Sequence, residues 1–221
     1  MKHILTLSSL LFSSALIAQP IKTEPKYYEP NLSLQAAQNN DEWIGTLAGT
    51  IQATEEISIY AEIDTTGYLE LGTGYGTMLG QFYTEAFVSY GRADIVDIYD
   101  AGVFTATALT PNLMVFANSS HEWRKSTLGK HLPALEHTSR EWKNTLGANY
   151  SINPMLNASY TFNYDKGLTD SGYRTSQDIQ LTFKPKWVEP YIKYSFGDHR
   201  VTPSSSVTGD DSVEVGINIR F

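Results

Sequence analysis

Two short histidine-containing segments hold the residue types that hydrolysis would need. Ser119-Ser120-His121-Glu122 supplies hydroxyl, imidazole and carboxylate groups, and Asp198-His199 supplies a second acid and imidazole. A serine nucleophile requires a histidine within hydrogen-bond reach and a third group that orients this histidine. In an extended strand, however, adjacent residues point to opposite faces, so Ser120 diverges from His121. The segments therefore favour a protein that is not an enzyme, with a hydrolase as an alternative that stays open.

The other histidines and the absence of cysteine argue against metal and thiol chemistry. His131, His137 and His199 lack the regular spacing of metal ligands and are expected to be solvated loop residues. Without cysteine, disulfides, thiolate ligands and a cysteine nucleophile are excluded. The sequence also lacks a Gly-x-Ser-x-Gly motif, a phosphate-binding loop and a zinc motif. We predict no catalytic residue, no metal ion and no cofactor.

Charged residues at alternate positions of apolar segments suggest a different chemistry, the contact of a polar wall with water and solutes. Ten of them are candidates for lining a water-filled lumen: Glu62, Glu70, Glu85, Asp100, Glu122, Arg124, Lys143, Asp178, Lys193 and Arg220. Acids dominate the first part of this set, whereas acids and bases are mixed from Glu141 onward. Such a separation produces a transverse field that orients polar solutes. In a narrow interior the same groups would pair across the axis and close it.

The elements that position these residues are strands, because apolar and polar residues alternate. From Leu156 to Tyr164 the even-numbered residues are apolar or aromatic, and the residues between them are polar. A related alternation runs from Val213 to Phe221 at the end of the sequence. Successive Cβ atoms of a strand point to opposite faces, so each strand has one apolar and one polar side. This pattern is typical of a sheet with lipid on one side and water on the other.

Ten such segments are clear, and two weaker ones precede them. The clear strands span residues 57–64, 68–76, 81–91, 97–109, 112–124, 141–151, 155–165, 174–184, 187–197 and 212–221, and the weaker candidates span 31–37 and 43–51. Either count is even, as in bacterial outer-membrane barrels. We predict an all-β protein, a transmembrane antiparallel up-and-down β-barrel of twelve strands, with ten as the alternative. A secreted β-sandwich with an aromatic core is the soluble alternative.

The connections alternate between tight turns and longer loops. Turns with Pro, Gly or Asn occur at residues 77–80, 110–112, 152–154 and 184–186, and longer connections span 125–140, 166–173 and 197–211. In outer-membrane barrels the short turns face the periplasm and the long loops face outward. Residues 125–140 are the largest candidate surface element and could also fold into the lumen as a constriction. Ser204-Ser205-Ser206 predicts plain flexible loop.

Aromatic residues indicate the height of the apolar band. Phe82 and Tyr90 share a strand face, as do Trp142 and Tyr150, and each pair is eight residues apart. At about 3.4 Å per residue and roughly 40° of tilt, this spacing spans on the order of 21 Å, near the height of such a band. We expect Trp123, Trp142, Tyr90, Tyr99 and Tyr164 in an outer girdle, and Phe82, Tyr150, Phe183, Trp187 and Phe221 in a periplasmic one.

Three alternate glycines, Gly72, Gly74 and Gly76, face inward in one predicted strand. We expect Gly74 to lie opposite Tyr83 and Gly72 opposite Glu85. A large ring over a glycine restores packing and fixes the register of two strands. The alternative is that the glycines widen a constriction.

The N-terminal segment and the charge balance bound the cellular context. Residues 1–18 resemble a secretory signal peptide, with a basic start, an apolar stretch and a cleavage site after Ala18, and residues 19–30 form a periplasmic extension before the barrel of residues 31–221. Cleavage would remove Lys2 and leave a net charge of −9. An acidic chain without basic runs is a poor binder of nucleic acid, because such binding rests on neutralising phosphates. No nucleic-acid partner is expected.

The chain resembles the bacterial outer-membrane β-barrel superfamily in ending Gly-Ile-Asn-Ile-Arg-Phe, with Phe221 last and aliphatic residues at alternate positions. The resemblance implies that Phe221 is part of the signal that the barrel-assembly machinery binds. Length, strand number and the run Lys186-Trp187-Val188-Glu189-Pro190-Tyr191-Ile192-Lys193-Tyr194 are similar to the small monomeric oligosaccharide porins, the oligogalacturonate-specific family. That family carries polyanions through a basic lumen. The acidic excess here departs from that pattern and argues against acidic oligosaccharides.

Together these features predict a porin-like channel in the outer membrane of a Gram-negative bacterium. Its partners would be outer-membrane lipid, the assembly machinery and small polar solutes, including sugars, that are neutral or cationic. A closed structural or adhesive barrel that displays its loops is one alternative. A hydrolase with residues at the barrel rim is the other.

Overall fold

The computed structural model describes residues 31–39, 42–128, 137–170 and 172–220. The expected signal peptide, the periplasmic extension, His131 and Phe221 lie outside the described residues and remain predictions. Within the described part of the chain, no helix is long and apolar enough to cross a bilayer. The fold is built from strands.

Twelve strands close into one antiparallel barrel, and two very short strands form a separate hairpin. The strands are β1 (Asn31–Asn39), β2 (Glu42–Gln52), β3 (Ile57–Asp64), β4 (Leu69–Leu79), β5 (Phe82–Ala93), β6 (Val96–Thr110), β7 (Leu113–Ser126), β8 (Thr138–Asn153), β9 (Leu156–Gly167), β10 (Tyr173–Phe183), β11 (Val188–Gly197), β12 (His199–Arg200), β13 (Val207–Thr208) and β14 (Ser212–Arg220). Each barrel strand pairs with its neighbours in the chain, apart from β11, which pairs with β14 across the short hairpin. β14 pairs with β1 and closes the cylinder.

The prediction of twelve strands is confirmed, including the two weaker candidates at the start of the barrel. Closure requires both of them, because β1 pairs with β2 on one side and with β14 on the other. β7 and β8 are longer than predicted, since their pairing continues to Lys125 and Thr138. The connection that the sequence placed at residues 125–140 is therefore shorter, and its residues 129–136 lie outside the described part.

Apolar side chains cover the outer face of the barrel. The described members of the two predicted girdles are between 37% and 70% exposed, apart from Trp123, which is half-buried beside His121. Aliphatic residues between the girdles are exposed as well, and Leu146 at 62% lies midway between Trp142 and Tyr150. Exposed apolar surface on this scale would be unfavourable in water, whereas a bilayer stabilises it. The prediction that hydrocarbon contacts this face is confirmed by the architecture.

The inner face is polar for the most part, but the expectation of a purely aqueous interior is wrong. Five buried apolar residues from β5, β6 and β7 form a cluster inside the barrel, with Tyr83 packed against it: Phe87, Phe104, Ala106, Met114 and Phe116. The ring centroids of Phe104 and Phe116 are 6.2 Å apart. These rings fill the periplasmic half of one wall, where the apolar surface is removed from water.

Rings do cover glycines, although the predicted register of the first pair is wrong. Gly76 pairs with Glu85, Gly74 with Phe87 and Gly72 with Ser89, so the hairpin turns closer to Gly80 than expected. Gly80 adopts a φ of 66°, which glycine tolerates without strain and which fixes the turn. The Tyr83 ring lies over Gly76, where a Cβ would overlap it. The packing interpretation therefore holds for a different glycine.

Candidate functional site: the barrel interior

The structure places all ten lumen candidates on the inner face. Nine of them are buried, and the Arg220 side chain is 15% exposed. Each comes from a different turn of the alternation described above, because the polar positions of the strands point inward. The site is therefore a polar wall distributed over many strands.

Glu122 organises the central charge cluster of the wall. Its Oε1 accepts a hydrogen bond from Arg124 Nε at 2.5 Å, and its Oε2 pairs with Lys143 Nζ. Glu122 and Lys143 are both 1% exposed. Burial of a charge is unfavourable unless a partner compensates it, so the three groups stabilise one another. The Asp100 carboxylate lies directly opposite Glu122 in the β6–β7 register.

Three further sets of ion pairs follow around the wall from β8 to β14. Glu141 binds Arg174, and it also binds Arg200 with an O–N distance of 3.2 Å. Lys193 Nζ and Glu214 Oε2 are 2.8 Å apart. Arg220 Nη2 and Glu189 Oε1 are 2.8 Å apart as well. The bases of this half of the barrel are thus matched locally by acids, along the wall rather than across the axis.

The acidic half of the wall contains a recess between β3 and β6. It encloses about 370 Å³, and its lining includes Ser58, Tyr60, Glu70, Glu85, Phe87 and Asp100. The space exists because Gly72 and Gly74, in the middle of this wall, have no side chains to fill it. Three carboxylates therefore surround a cavity that is open to a small solute.

The loop at residues 198–211 folds inward and crosses the extracellular mouth. It starts between β11 and β14, yet Arg124 Nη1 of β7 donates to Pro203 O at 2.7 Å. On the other side of the mouth, the Ser204 and Thr66 hydroxyl oxygens are 3.1 Å apart. Val201 and Thr202 are each 1% exposed. The expectation that Ser204-Ser205-Ser206 is plain flexible loop is wrong, because these residues form the tip of an inserted segment.

Two residues of β12 hold this loop against the wall. His199 Nε2 lies 2.8 Å from Ser212 Oγ, and His199 Nδ1 lies 2.7 Å from Gly197 O. Arg200 donates to Ser205 O at 2.9 Å in addition to its ion pair with Glu141. Burial, followed by the positive charge of Arg124, lowers the pKa of Arg200, and the Glu141 carboxylate opposes this shift. His199 was expected to be solvated, and it is buried instead.

Known structures share this architecture. No protein-family model matches the sequence, and no curated protein matches it. The NanC porin is 12% identical over 87% of this chain and 100% of its own, with a TM-score of 0.69. The KdgM porin is 14% identical over 86% of this chain and 99% of its own, with a TM-score of 0.63. The fold is that of the outer-membrane porins.

An outer membrane channel from Pseudomonas putida F1 is also similar, at 10% identity, with 90% of this chain and 100% of that chain covered and a TM-score of 0.59. The KdgM porin has also been solved in complex with disordered oligogalacturonate. At these identities the likeness establishes the fold, and the function has to be argued from the residues of this chain.

The serine and histidine residues of the two candidate hydrolytic segments are bound to other groups. Ser120 donates to Asp100 inside the barrel, whereas Ser119 lies outside, where it bonds to Asn144 and receives a hydrogen bond from Trp142. His121 stacks on Trp142 on that outer face. His199 and Ser212 do meet, but they are 2% and 5% exposed, so a substrate has no access to the pair. Their contact fastens the loop.

Sequence reasoning missed the inserted loop, the inner aromatic cluster and the recess. Inward-facing Phe87, Phe104 and Phe116 could have been identified from the alternation, since they fall on the polar side of their strands. No comparable signal exists for residues 198–211, because turn-forming residues do not encode the direction of a loop. Among the described residues, no group of three His, Asp or Glu side chains could hold a metal ion.

Proposed function

We propose that this protein is a passive channel of the Gram-negative outer membrane for small polar solutes that are neutral or cationic. The observation that carries the proposal is a closed barrel with an apolar outer belt and charged groups that pair along the inner wall. Pairing along the wall leaves the axis free of side-chain bridges, and twelve strands give a wider interior than the eight-stranded barrels that side chains fill.

The charge distribution supports the solute class. Bases on β8 to β14 are matched by nearby acids, whereas Glu70, Glu85 and Asp100 surround the recess on the other side. A polyanion such as the oligogalacturonate bound to the KdgM porin would meet repulsion there. Neutral solutes, including sugars, and cations would not.

The remaining parts of the proposal concern the partners of the barrel. The exposed belt would contact outer-membrane lipid, and Phe221 would be bound by the barrel-assembly machinery before insertion. Export would require the segment up to Ala18 to act as a signal peptide. These roles follow from the sequence pattern and are open to test by membrane fractionation of wild-type protein and a variant that lacks Phe221.

Planar-bilayer recording on the purified protein tests the channel directly. We expect discrete conductance steps and, in a salt gradient, a reversal potential that indicates preference for cations over anions. The control is protein that has been denatured by heat and added at the same concentration. A complete absence of steps across a range of voltages would refute a channel, and anion preference would refute the solute class.

A closed barrel that displays its loops is the second candidate, and the inward-folded loop favours it. Residues 198–211 cross the mouth and bind both sides of it through Pro203 and Ser204. If wild-type protein conducts no ions but a variant without the loop tip does, the loop keeps the barrel closed. A barrel that stays silent in both forms has a structural role.

A further inference from the structure

The acidic recess in the β3–β6 wall is built from one row of residues that the strand register brings together. Tyr60 pairs with Gly72, Gly72 with Ser89, and Ser89 with Asp100. The two ends of the row carry a ring and a carboxylate, and the middle carries a glycine and a small hydroxyl. The register therefore creates a hollow with polar ends in an otherwise continuous wall.

Asp100 has an unused acceptor that faces this hollow. Its Oδ2 accepts a hydrogen bond from Ser120 Oγ at 3.3 Å, and its side chain is buried at 6% exposure. Among the residues that the structure describes, Asp100 Oδ1 has no hydrogen-bond donor. A buried carboxylate oxygen without a donor costs free energy, so a ligand that donates to it would be bound favourably.

The second carboxylate of the hollow is oriented by neutral groups. Glu85 Oε1 accepts from Ser58 Oγ at 2.9 Å, and Oε2 accepts from the Tyr83 hydroxyl at 2.6 Å. In the described part of the chain, neither Glu85 nor Asp100 forms an ion pair within 4 Å. Hydroxyl donors fix the direction of a carboxylate without neutralising its charge. The hollow therefore retains negative charge that is held in place.

The chemistry of the lining selects one kind of ligand. A bare metal ion fits poorly, because no three acidic side chains of the described residues converge on one point. An ammonium group has three donors for the separate carboxylates of Asp100, Glu85 and Glu70. The Phe87 and Tyr60 rings offer apolar faces that suit the carbon frame of a sugar, and Ser58 and Ser89 add hydroxyl partners.

We propose that the recess is a binding site for amino sugars, saccharides that carry a protonated primary amine. The ammonium group is bound by Asp100 Oδ1 and the neighbouring carboxylates, and the sugar ring lies against Phe87. This inference deepens the proposed function, since it names the solute class that the channel would retain longest. The site lies beside the conduction path, so binding slows passage of an amino sugar more than that of a neutral sugar.

Isothermal titration of the purified protein with glucosamine tests the site without reference to conduction. N-acetylglucosamine is the matched probe, because acetylation removes the charge and keeps the ring. We expect heat of binding for glucosamine and at least about tenfold weaker binding for N-acetylglucosamine, as expected for loss of charge-assisted hydrogen bonds. Equal binding of the two sugars, or no binding of either, would overturn the proposal.

Asp100→Asn is the decisive variant, since it removes the charge and keeps the shape. We expect about tenfold weaker glucosamine binding. Asp178→Asn is the matched control, because Asp178 is also buried, accepts only from neutral donors, Ser195 and Asn163, and lies across the barrel on β10. Equal losses in both variants would mean that overall charge matters and the recess does not.

Folding and function are separated by two further measurements. If Asp100→Asn does not give the heat-dependent electrophoretic shift of a folded barrel, Ser89→Leu takes its place, since it fills the recess without removing a carboxylate. Glucosamine binding that survives Ser89→Leu would refute the site. In bilayers, glucosamine should lengthen current blocks relative to N-acetylglucosamine. Selective binding without any conductance would refute the channel and leave the site, whereas conductance without selective binding would do the reverse.

Discussion

At the scale of single residues, Glu122 shows how this barrel stabilises buried charge. One carboxylate compensates two cations, Arg124 and Lys143, and all three side chains are at least nine-tenths buried. Removing one partner of such a set leaves an uncompensated charge in a medium that solvates it poorly. The stability of the inner wall therefore depends on complete sets of partners more than on any single pair.

Replacing Glu122 with Gln tests this dependence. The variant keeps the side-chain shape but leaves Lys143 and Arg124 without their carboxylate, so we expect the free energy of unfolding to fall by about 3–5 kcal/mol. Urea-induced unfolding in lipid vesicles, followed by tryptophan fluorescence, measures the change. The control is Arg92→Gln, because the Arg92–Asp97 pair is 3.9 Å long and the Arg92 side chain is 57% exposed. That variant should lose no more than about 1 kcal/mol, and similar losses in both would contradict the argument.

Glycines under rings are the second residue-scale feature. A Cβ at Gly147 would overlap the Phe116 ring, and one at Gly216 would overlap Tyr191. Because the backbone of each strand is held by its two neighbours, neither ring nor strand has free space into which to move. These glycines are required by close approach rather than by backbone conformation.

Gly147→Ala should therefore lower stability by about 1–3 kcal/mol through overpacking against Phe116. Thermal unfolding, followed by the loss of the heat-dependent electrophoretic shift, measures the effect. Gly172→Ala is the control, since nothing lies within 4 Å of a Cβ at that position. A second change, Phe116→Leu, should restore part of the loss in the Gly147 variant. If it restores nothing, the overlap with the ring is not the cause.

At the scale of elements, the inserted loop is the part of the fold with a direct effect on conduction. β12 and β13 pair through His199–Thr208 and Arg200–Val207, and the segment between them reaches across the mouth. Replacing residues 201–206 with Asn-Gly would keep the hairpin and remove only the tip, because this dipeptide forms a two-residue hairpin turn.

The shortened loop should give a higher single-channel conductance than the wild-type protein, since Pro203 and Ser204 no longer span the mouth. Bilayer recording of both forms under the same salt conditions measures the difference. Asp210→Ala serves as the control, because the Asp210 side chain is exposed and outside the tip. Unchanged conductance in the shortened form would show that the narrowest part of the path lies deeper, at the level of the inner aromatic cluster.

The strands were predictable from the sequence, and the loop was not, for a physical reason. Strand faces are fixed by local geometry, so the alternation from Leu156 to Tyr164 is enough to assign both sides of β9. The direction of residues 198–211 depends on partners that are distant in sequence, Arg124 and Thr66, and on the buried contact of His199 with Ser212. The register of β4 and β5 failed for a related reason, because it depended on which residues form the turn before Gly80.

The interior lies between these two cases. Alternation assigned the ten candidate residues to the inner face correctly in direction, but it gave no information on which groups meet. Glu122 finds Lys143 two positions around the barrel from its own pair partner Glu141, a consequence of long side chains and register together. The recess is a negative feature, produced by glycines and small residues, and only the assembled wall reveals it.

At the scale of the whole molecule, the barrel separates two solvents, and the depth of each outer residue decides what it tolerates. β8 gives a direct test within one strand. Trp142 and Tyr150 mark the two girdles, Leu146 lies midway between them at 62% exposure, and Ile152 lies beyond the periplasmic girdle at 49% exposure. All four point outward, so any difference between substitutions at Leu146 and Ile152 reports depth in the bilayer.

Leu146→Arg should destabilise the barrel by about 2–4 kcal/mol, because its cation would be placed near the middle of the hydrocarbon, whereas Ile152→Arg should lose about 0–1 kcal/mol at the interface. Unfolding by urea in vesicles of one lipid measures both. In detergent micelles, which adapt to a charge, the difference between the two variants should shrink. If the two substitutions are equally tolerated in vesicles, the exposed belt does not face lipid at Leu146, and neither the membrane position of the girdles nor the proposal of a channel can stand.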